Sequence, residues 1–173
     1  MNPTTKAVFA CFSLLILILI AGCSKGKEDP ANPSVAAWIN ITGKAQKGPF
    51  ITGTTITLNE LNDNLGQTGR SFTTTILSDD GGFALNNIES SASMVLLTAN
   101  GYFFHEIYGE LSFAPLTLQA LATVKQGTTI NVNLMTHLIK ERIMALTASG
   151  INFPEARSQA QQELLSFFGI SLP

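Results

Sequence analysis

The chain has 173 residues with 10 basic and 12 acidic side chains, a formal charge of −2 at pH 7. That length supports one domain with its own core, and the mildly acidic balance excludes an electrostatic footprint for nucleic acid. Both cysteines, Cys11 and Cys23, sit at the extreme N-terminus, so the rest of the chain has neither a disulfide framework nor a thiol nucleophile.

One lysine, Lys6, precedes an uncharged run from Ala7 to Gly22. At about 16 residues this run falls short of the roughly 20 that span a bilayer as a helix. A basic start, an apolar middle and small residues at the end describe an export signal over residues 1–22. Its last residues, Ile20-Ala21-Gly22 before Cys23, resemble the bacterial lipobox. The resemblance implies acylation of the Cys23 thiol and cleavage just before it. One acyl chain holds a bilayer marginally and two or more hold it firmly, so a cysteine carrying two or three chains implies a permanent tether. Residues 23–35 mix charges with Pro, Gly and Ser and read as a flexible linker. Ser24, rather than Asp, after the acylated residue resembles an outer-membrane sorting pattern. The expected address is therefore the bacterial cell envelope, with the membrane reached through the N-terminal lipid.

From Ala36 to about Asn133 short apolar runs alternate with turn residues. Trp38, Ile39 and Ile41 open the series. Thr55 to Leu61 alternates, with Ile56, Leu58 and Glu60 opposite the threonines, and Asn62-Asp63-Asn64-Leu65-Gly66 reads as a turn. Ser71 to Leu77 is β-prone and ends at the hairpin chemistry of Ser78-Asp79-Asp80-Gly81-Gly82. Phe83 and Leu85 follow with period two. Met94 to Ala99 is continuously apolar, as for a strand covered on both faces. Tyr102 to Tyr108, then Leu116, Leu118 and Leu121, then Thr128 to Val132 complete a set of short strands that predicts a β-sandwich over residues 36–130.

The period then changes. Met135, Leu138, Ile139, Ile143 and Leu146 recur at helical spacing, with Asn131 or Asn133 as cap and Gly150 as stop. Asn152-Phe153-Pro154-Glu155 starts a second helix, with Ala156, Ala160, Leu164 and Phe167 along one face. Residues 131–173 thus predict an αα-hairpin whose apolar stripe buries against the sandwich or a further domain. The expected fold class is mainly β with C-terminal α.

Gly43-Lys44-Ala45-Gln46-Lys47-Gly48-Pro49-Phe50, Asp79 to Leu85, and Val95 to Tyr102 together resemble a carboxypeptidase-regulatory-like domain, with an Asp/Gly turn before a Phe-containing strand and a later strand ending in Gly-Tyr. The resemblance covers roughly Thr42 to Gly109 and implies a seven-stranded, transthyretin-like sandwich. Asn131 to Leu138 with Ala156 to Phe168 resembles a helical segment that follows such domains in large bacterial surface lipoproteins. Neither resemblance implies a reaction.

Candidate chemistry is sparse. His137 and Glu141 share a helix face but lack the third ligand a zinc site needs. His105 and Glu106, with Glu110 nearby, are strand neighbours pointing to opposite faces. Asp79 and Asp80 with Asn86 and Asn87 offer oxygen ligands without the spacing of a calcium loop. No nucleophile elbow or phosphate loop is present, so catalytic residues, metal ligands and cofactors are all assigned as none. Tyr102, Phe104 and Tyr108 form an aromatic cluster assigned to one face, with Phe103 pointing inward. Exposed, that cluster suits a carbohydrate or protein ligand; covered by the helical hairpin, it is core, and the sequence favours the covered arrangement. The expectation is a non-enzymatic binding, adhesion or spacer module. The alternative is a truncated or accessory part of a surface enzyme system for glycan or peptide handling, with its chemistry elsewhere.

Overall fold

The computed structural model describes residues 36–170. The lipobox residues Ile20, Ala21 and Gly22, the acylation site Cys23, the export signal and the linker all lie outside the described residues. The elements in order are β1 (Ala37–Gln46), β2 (Thr55–Leu61), β3 (Gln67–Thr75), β4 (Gly82–Ser90), β5 (Met94–Gly101), β6 (Phe104–His105), β7 (Glu110–Leu111), β8 (Leu116–Thr123), β9 (Thr128–Thr129), β10 (Val132–Asn133), α1 (Leu134–Ala148) and α2 (Phe153–Phe167). The fold is mainly β with two C-terminal helices.

Two four-stranded sheets face one another. In the first, β1 lies between antiparallel β4 and the short parallel strands β9 and β10, which follow each other along one edge. The second is antiparallel throughout in the order β3-β2-β5-β8. Alternate residues of both sheets meet in a shared core: Ile39, Ile41 and Leu85 from one side, Ile56, Leu58 and Leu97 from the other. Full burial of such side chains contributes about 1.5–3 kcal/mol each. Leu85 and Ile88 both face this core although three apart. A bulge sets Asn86 and Asn87 against the single Asn40, with Asn87 at φ 55° and its N–H donating to Asn40 Oδ1. The extra residue re-phases the strand.

The continuous apolar run of β5 is covered on both faces, as expected. Val95, Leu97 and Ala99 enter the sandwich core, while Met94 and Leu96 turn outward to the helical hairpin. There Ile143, Leu146, Phe153, Ala156 and Ala160 pack with Leu121 and with Leu65 from the β2–β3 turn. Asn133, not Asn131, caps α1: its side chain accepts from Thr136 N and Thr136 Oγ1 accepts from Asn133 N, worth about 1 kcal/mol. Asn131 instead accepts from Lys44 N. Helix α1 ends in a Schellman turn. Gly150 takes φ 95°, its N–H reaches Thr147 O, and Ile151 N reaches Leu146 O while Ile151 packs in the same cluster.

The predicted stripes are only partly buried. Met135 and Leu138 on α1 are exposed, and Phe167 is 82% exposed. Helix α1 rotates Ile139, Ile143 and Leu146 inward, which carries Met135 and Leu138 to the flank. The buried stripe of α2 ends at Ala160 and half-buried Leu164, leaving Phe167 uncovered.

Candidate functional site

One end of the sandwich collects the candidate residues. Strand β1 begins at Ala37, opposite Ser90, and ends at Gln46, opposite Asn133. The chain turns through Lys47, Gly48 and Pro49, and Phe50 then bridges to Phe103. Strand β5 runs towards this same end, and a two-stranded ribbon of β6 and β7 projects from it. The ribbon is anchored by backbone bonds from Ile51 N to Tyr102 O, from Phe104 N to Pro49 O and from Ser112 N to Phe103 O. Gly48 permits this approach: a Cβ there would stand 2.1 Å from Phe104 O.

Phe103 points inward as predicted and packs on Phe50 with ring centroids 6.0 Å apart. Tyr102, Phe104 and Tyr108 are 45%, 38% and 72% exposed, and the hairpin covers none of them. This corrects the covered arrangement favoured by the sequence. The hairpin packs on β8 and the outward residues of β5 instead, because Met94, Leu96 and Leu121 supply an apolar surface nearer to α1. The single shared face is corrected too. Phe104 pairs across the ribbon with Leu111 and His105 with Glu110, so the pairs lie on opposite faces. The turn Glu106–Gly109 breaks the alternation and folds Tyr108 back over His105, with ring centroids 4.4 Å apart. Tyr108 therefore belongs with His105 and Phe103, away from Phe104.

Sequence reasoning missed three features. Lys47 holds its ammonium 4.7 Å from the centre of the Phe103 ring, a cation–π contact with no periodic signal. The ribbon also exposes Ile107 at 85% and Phe113 at 95%. Finally, a cleft of about 350 Å³ opens beside the ribbon, lined by Gln46, Lys47, Pro49, Glu106, Leu134 and Met135. Apolar residues with no alternating partner strand, between Phe104 and Phe113, were the available hint.

Most of the acidic and amide candidates are engaged by neighbouring groups. Asp79 accepts from Thr52 N at 2.8 Å, which lowers its carboxyl below the usual range. Asp80 accepts from Ser78 Oγ, Gly82 N and Lys44 Nζ, and these bonds, the Ser78 hydroxyl foremost, hold it well below that range. Asn87 is engaged in the bulge. Glu141 pairs with Lys140, whose hydrogen bond lowers it, while His137 Nδ1 is buried without a protein partner. Among the described residues no three His, Cys, Asp or Glu side chains gather as metal ligands, and no helix is long and apolar enough to cross a membrane.

No protein-family model and no curated protein matches the chain. Among solved structures it is similar to a protein from Pseudomonas aeruginosa provisionally named a carbohydrate binding protein. That match has 13% identity and a TM-score of 0.38, over 60% of this chain and 92% of the other.

Proposed function

We propose that the chain is an envelope lipoprotein, acylated on Cys23, whose transthyretin-like sandwich presents the Tyr102–Phe113 ribbon to a protein or carbohydrate ligand. The observation that carries this reading is the exposure of Tyr102, Phe104 and Tyr108 on a ribbon tied to the core by backbone bonds at Tyr102 and Phe104 and by the buried Phe103. Exposed aromatic rings on both faces of one ribbon supply contact area at low entropic cost.

The topology supports an outward-facing role. The ribbon and the Ala37 entry lie at opposite ends of β1, about 30 Å apart for ten residues of strand. A tether on Cys23 would enter the sandwich at the Ala37 end and so would not occupy the ribbon. The transthyretin-like assignment is supported by the strand count: β1 to β5, β8 and the interrupted β9–β10 edge make seven strands in two sheets.

Two measurements test the proposal. Intact mass spectrometry of membrane-extracted protein is expected to give residues 23–173 plus acyl groups, and Cys23→Ala to abolish both acylation and anchoring. An unacylated wild-type protein in the soluble fraction would overturn the anchor. Cells displaying the protein are expected to lose ligand capture when Tyr102, Phe104 and Tyr108 are replaced together by Ala. Unchanged capture by a folded triple variant would remove the ribbon from the site.

A further inference from the structure

We infer that the cleft beside the ribbon is a glycan site and that the ligand it takes is an uncharged oligosaccharide. The inference rests on the reading of the ribbon given above and names the class of its ligand. The polar lining of the cleft comes from Gln46, Lys47, Glu106 and Asn133, and the apolar lining from Pro49, Leu134 and Met135. The side chains of Gln46, Lys47 and Glu106 make no hydrogen bond or ion pair among the described residues. Asn133 commits its side-chain oxygen to Thr136 N and keeps its NH2 group.

A sugar presents hydroxyls that both donate and accept, with patches of C–H surface between them. The cleft answers both features. The Gln46 amide sets a donor beside an acceptor, Lys47 and Asn133 add donors, and Glu106 adds acceptors. Pro49, Leu134 and Met135 supply the apolar contact, and a few polar groups set among such surface is how small-ligand sites fix orientation. Tyr108 shares the turn that carries Glu106, so an exposed ring with a phenol hydroxyl stands on the same short segment. At about 350 Å³ the cleft lies at the small end of ligand sites, which suits the end of a glycan rather than a long stretch of one.

A peptide would need what the cleft lacks. Extended peptides add to a free strand edge, and helical ones fill an apolar groove. Here the main chain is already taken: Gln46 pairs with Asn133 and bridges to Pro49, and Pro49 O accepts from Phe104 N. Lys47 and Glu106 give the cleft one positive and one negative group, with no net charge to select an acidic or a basic polymer. Recognition by hydrogen bonds and contact should depend little on salt.

The test probes an array of neutral and acidic oligosaccharides with the membrane-extracted protein, beside a phage-displayed peptide library, and titrates the hits by calorimetry. Neutral oligosaccharides are expected to bind, with affinity nearly constant as salt is raised. Gln46→Ala and Glu106→Ala should each weaken them about tenfold with an unchanged denaturation midpoint. Glu106→Gln, which keeps an acceptor oxygen, should weaken them less. Binding confined to acidic glycans, or lost in Glu106→Gln as fully as in Glu106→Ala, would overturn the uncharged ligand. Glycan binding that ignores both alanine variants but is lost when Tyr102, Phe104 and Tyr108 are replaced would overturn the cleft and keep the ribbon. Loss in the alanine variants with no change in that triple variant would support the cleft and remove the ribbon rings from the site. Peptide hits without glycan hits, or no hits at all, would overturn the inference, and the cell-capture assay then judges the ribbon by itself.

Discussion

Arg142 on α1 and Glu163 on α2 meet in a two-point contact across the helical hairpin, Nε to Oε2 at 2.7 Å and Nη2 to Oε1 at 2.9 Å. Helped by a bond from Gln159, the guanidinium holds the Glu163 carboxyl at about 2, down from an ordinary 4.5, and Arg142 is raised in turn. A depressed carboxylate stabilises the fold fully above its unfolded value and loses that contribution as pH falls through its folded value. Thermal melts should therefore show a hairpin contribution that fades between pH 4.5 and about 2. Glu163→Gln should flatten that window, and salt should shrink the effect, because both side chains face solvent.

Glu60 follows a different rule because it is 2% exposed, lying in the sandwich in phase with Ile56 and Leu58. Its nearest cation is Arg70, 3.7 Å away at the surface, and Oε1 has no partner. A buried charge stripped of its partner is strongly destabilising, whereas an apolar replacement of the whole pair is often neutral or better. Arg70→Ala should cost about 2 kcal/mol, discounted for Arg70 being half-exposed. Glu60→Leu should leave the denaturation midpoint level or raise it. A large loss of stability in Glu60→Leu would mean that the carboxylate is satisfied in solution by a group not seen among its protein neighbours.

Ala156 and Ala160 let α2 pack closely against α1, since both are buried to within about 1% of full cover. Inserting methylenes at such a contact typically costs 1–3 kcal/mol. Ala156→Leu should therefore destabilise by about 2 kcal/mol and increase hydrogen exchange along α2. Arg157→Leu, on the exposed side, should leave global stability nearly unchanged.

How far the sequence speaks depends on the period of the element. Strands with one buried face wrote it plainly at Ile56 and Leu58, and the doubly covered β5 wrote it as the apolar run Met94 to Leu97. Turn and cap chemistry was equally local: Asn62 Oδ1 accepts from Asn64 N and Gly66 N, and Asn152 Oδ1 accepts from Glu155 N, where the residue types predict. The bulge at Asn86 and Asn87 left no periodic trace, because an inserted residue looks like noise in a pattern of period two. The ribbon was the hardest part. Its aromatic content was evident, but whether the helices would cover it depended on which sandwich face was the more apolar. That is a property of Met94, Leu96 and Leu121 together, which reach one surface only once β5 and β8 pair across the intervening ribbon. The cleft beside the ribbon depends on three segments brought together by the fold, around Lys47, Glu106 and Met135, so no window of sequence contains it.

Phe103 and its neighbours should separate stability from binding. Phe103 fills the core between Phe50 and His105, so Phe103→Ala should cost about 3–5 kcal/mol. Phe104→Ala and Tyr108→Ala remove exposed rings and should each stay within about 0.5 kcal/mol. Chemical denaturation of the three variants reads the contrast directly. Equal losses at all three positions would mean that the ribbon is buried in solution, by a second copy or by another part of the chain.

Gly48 offers a way to move the ribbon without touching any of its side chains. Nothing about the aromatic cluster changes in Gly48→Ala, yet the new methyl would meet the backbone oxygen of Phe104 at 2.1 Å. A backbone atom yields only if its strand moves. Phe104 is tied to Pro49 through its N–H at 2.9 Å, so that bond must stretch or break. The expected cost is about 1–3 kcal/mol, typical of forced overpacking. Amide chemical shifts should change from Tyr102 to Leu111 and stay put in β2, β3 and β4. Ligand capture should fall along with them while the core cluster around Ile41 and Leu97 remains intact. If capture survives a displaced ribbon, the ligand binds elsewhere on the domain and Phe104 is not part of its site.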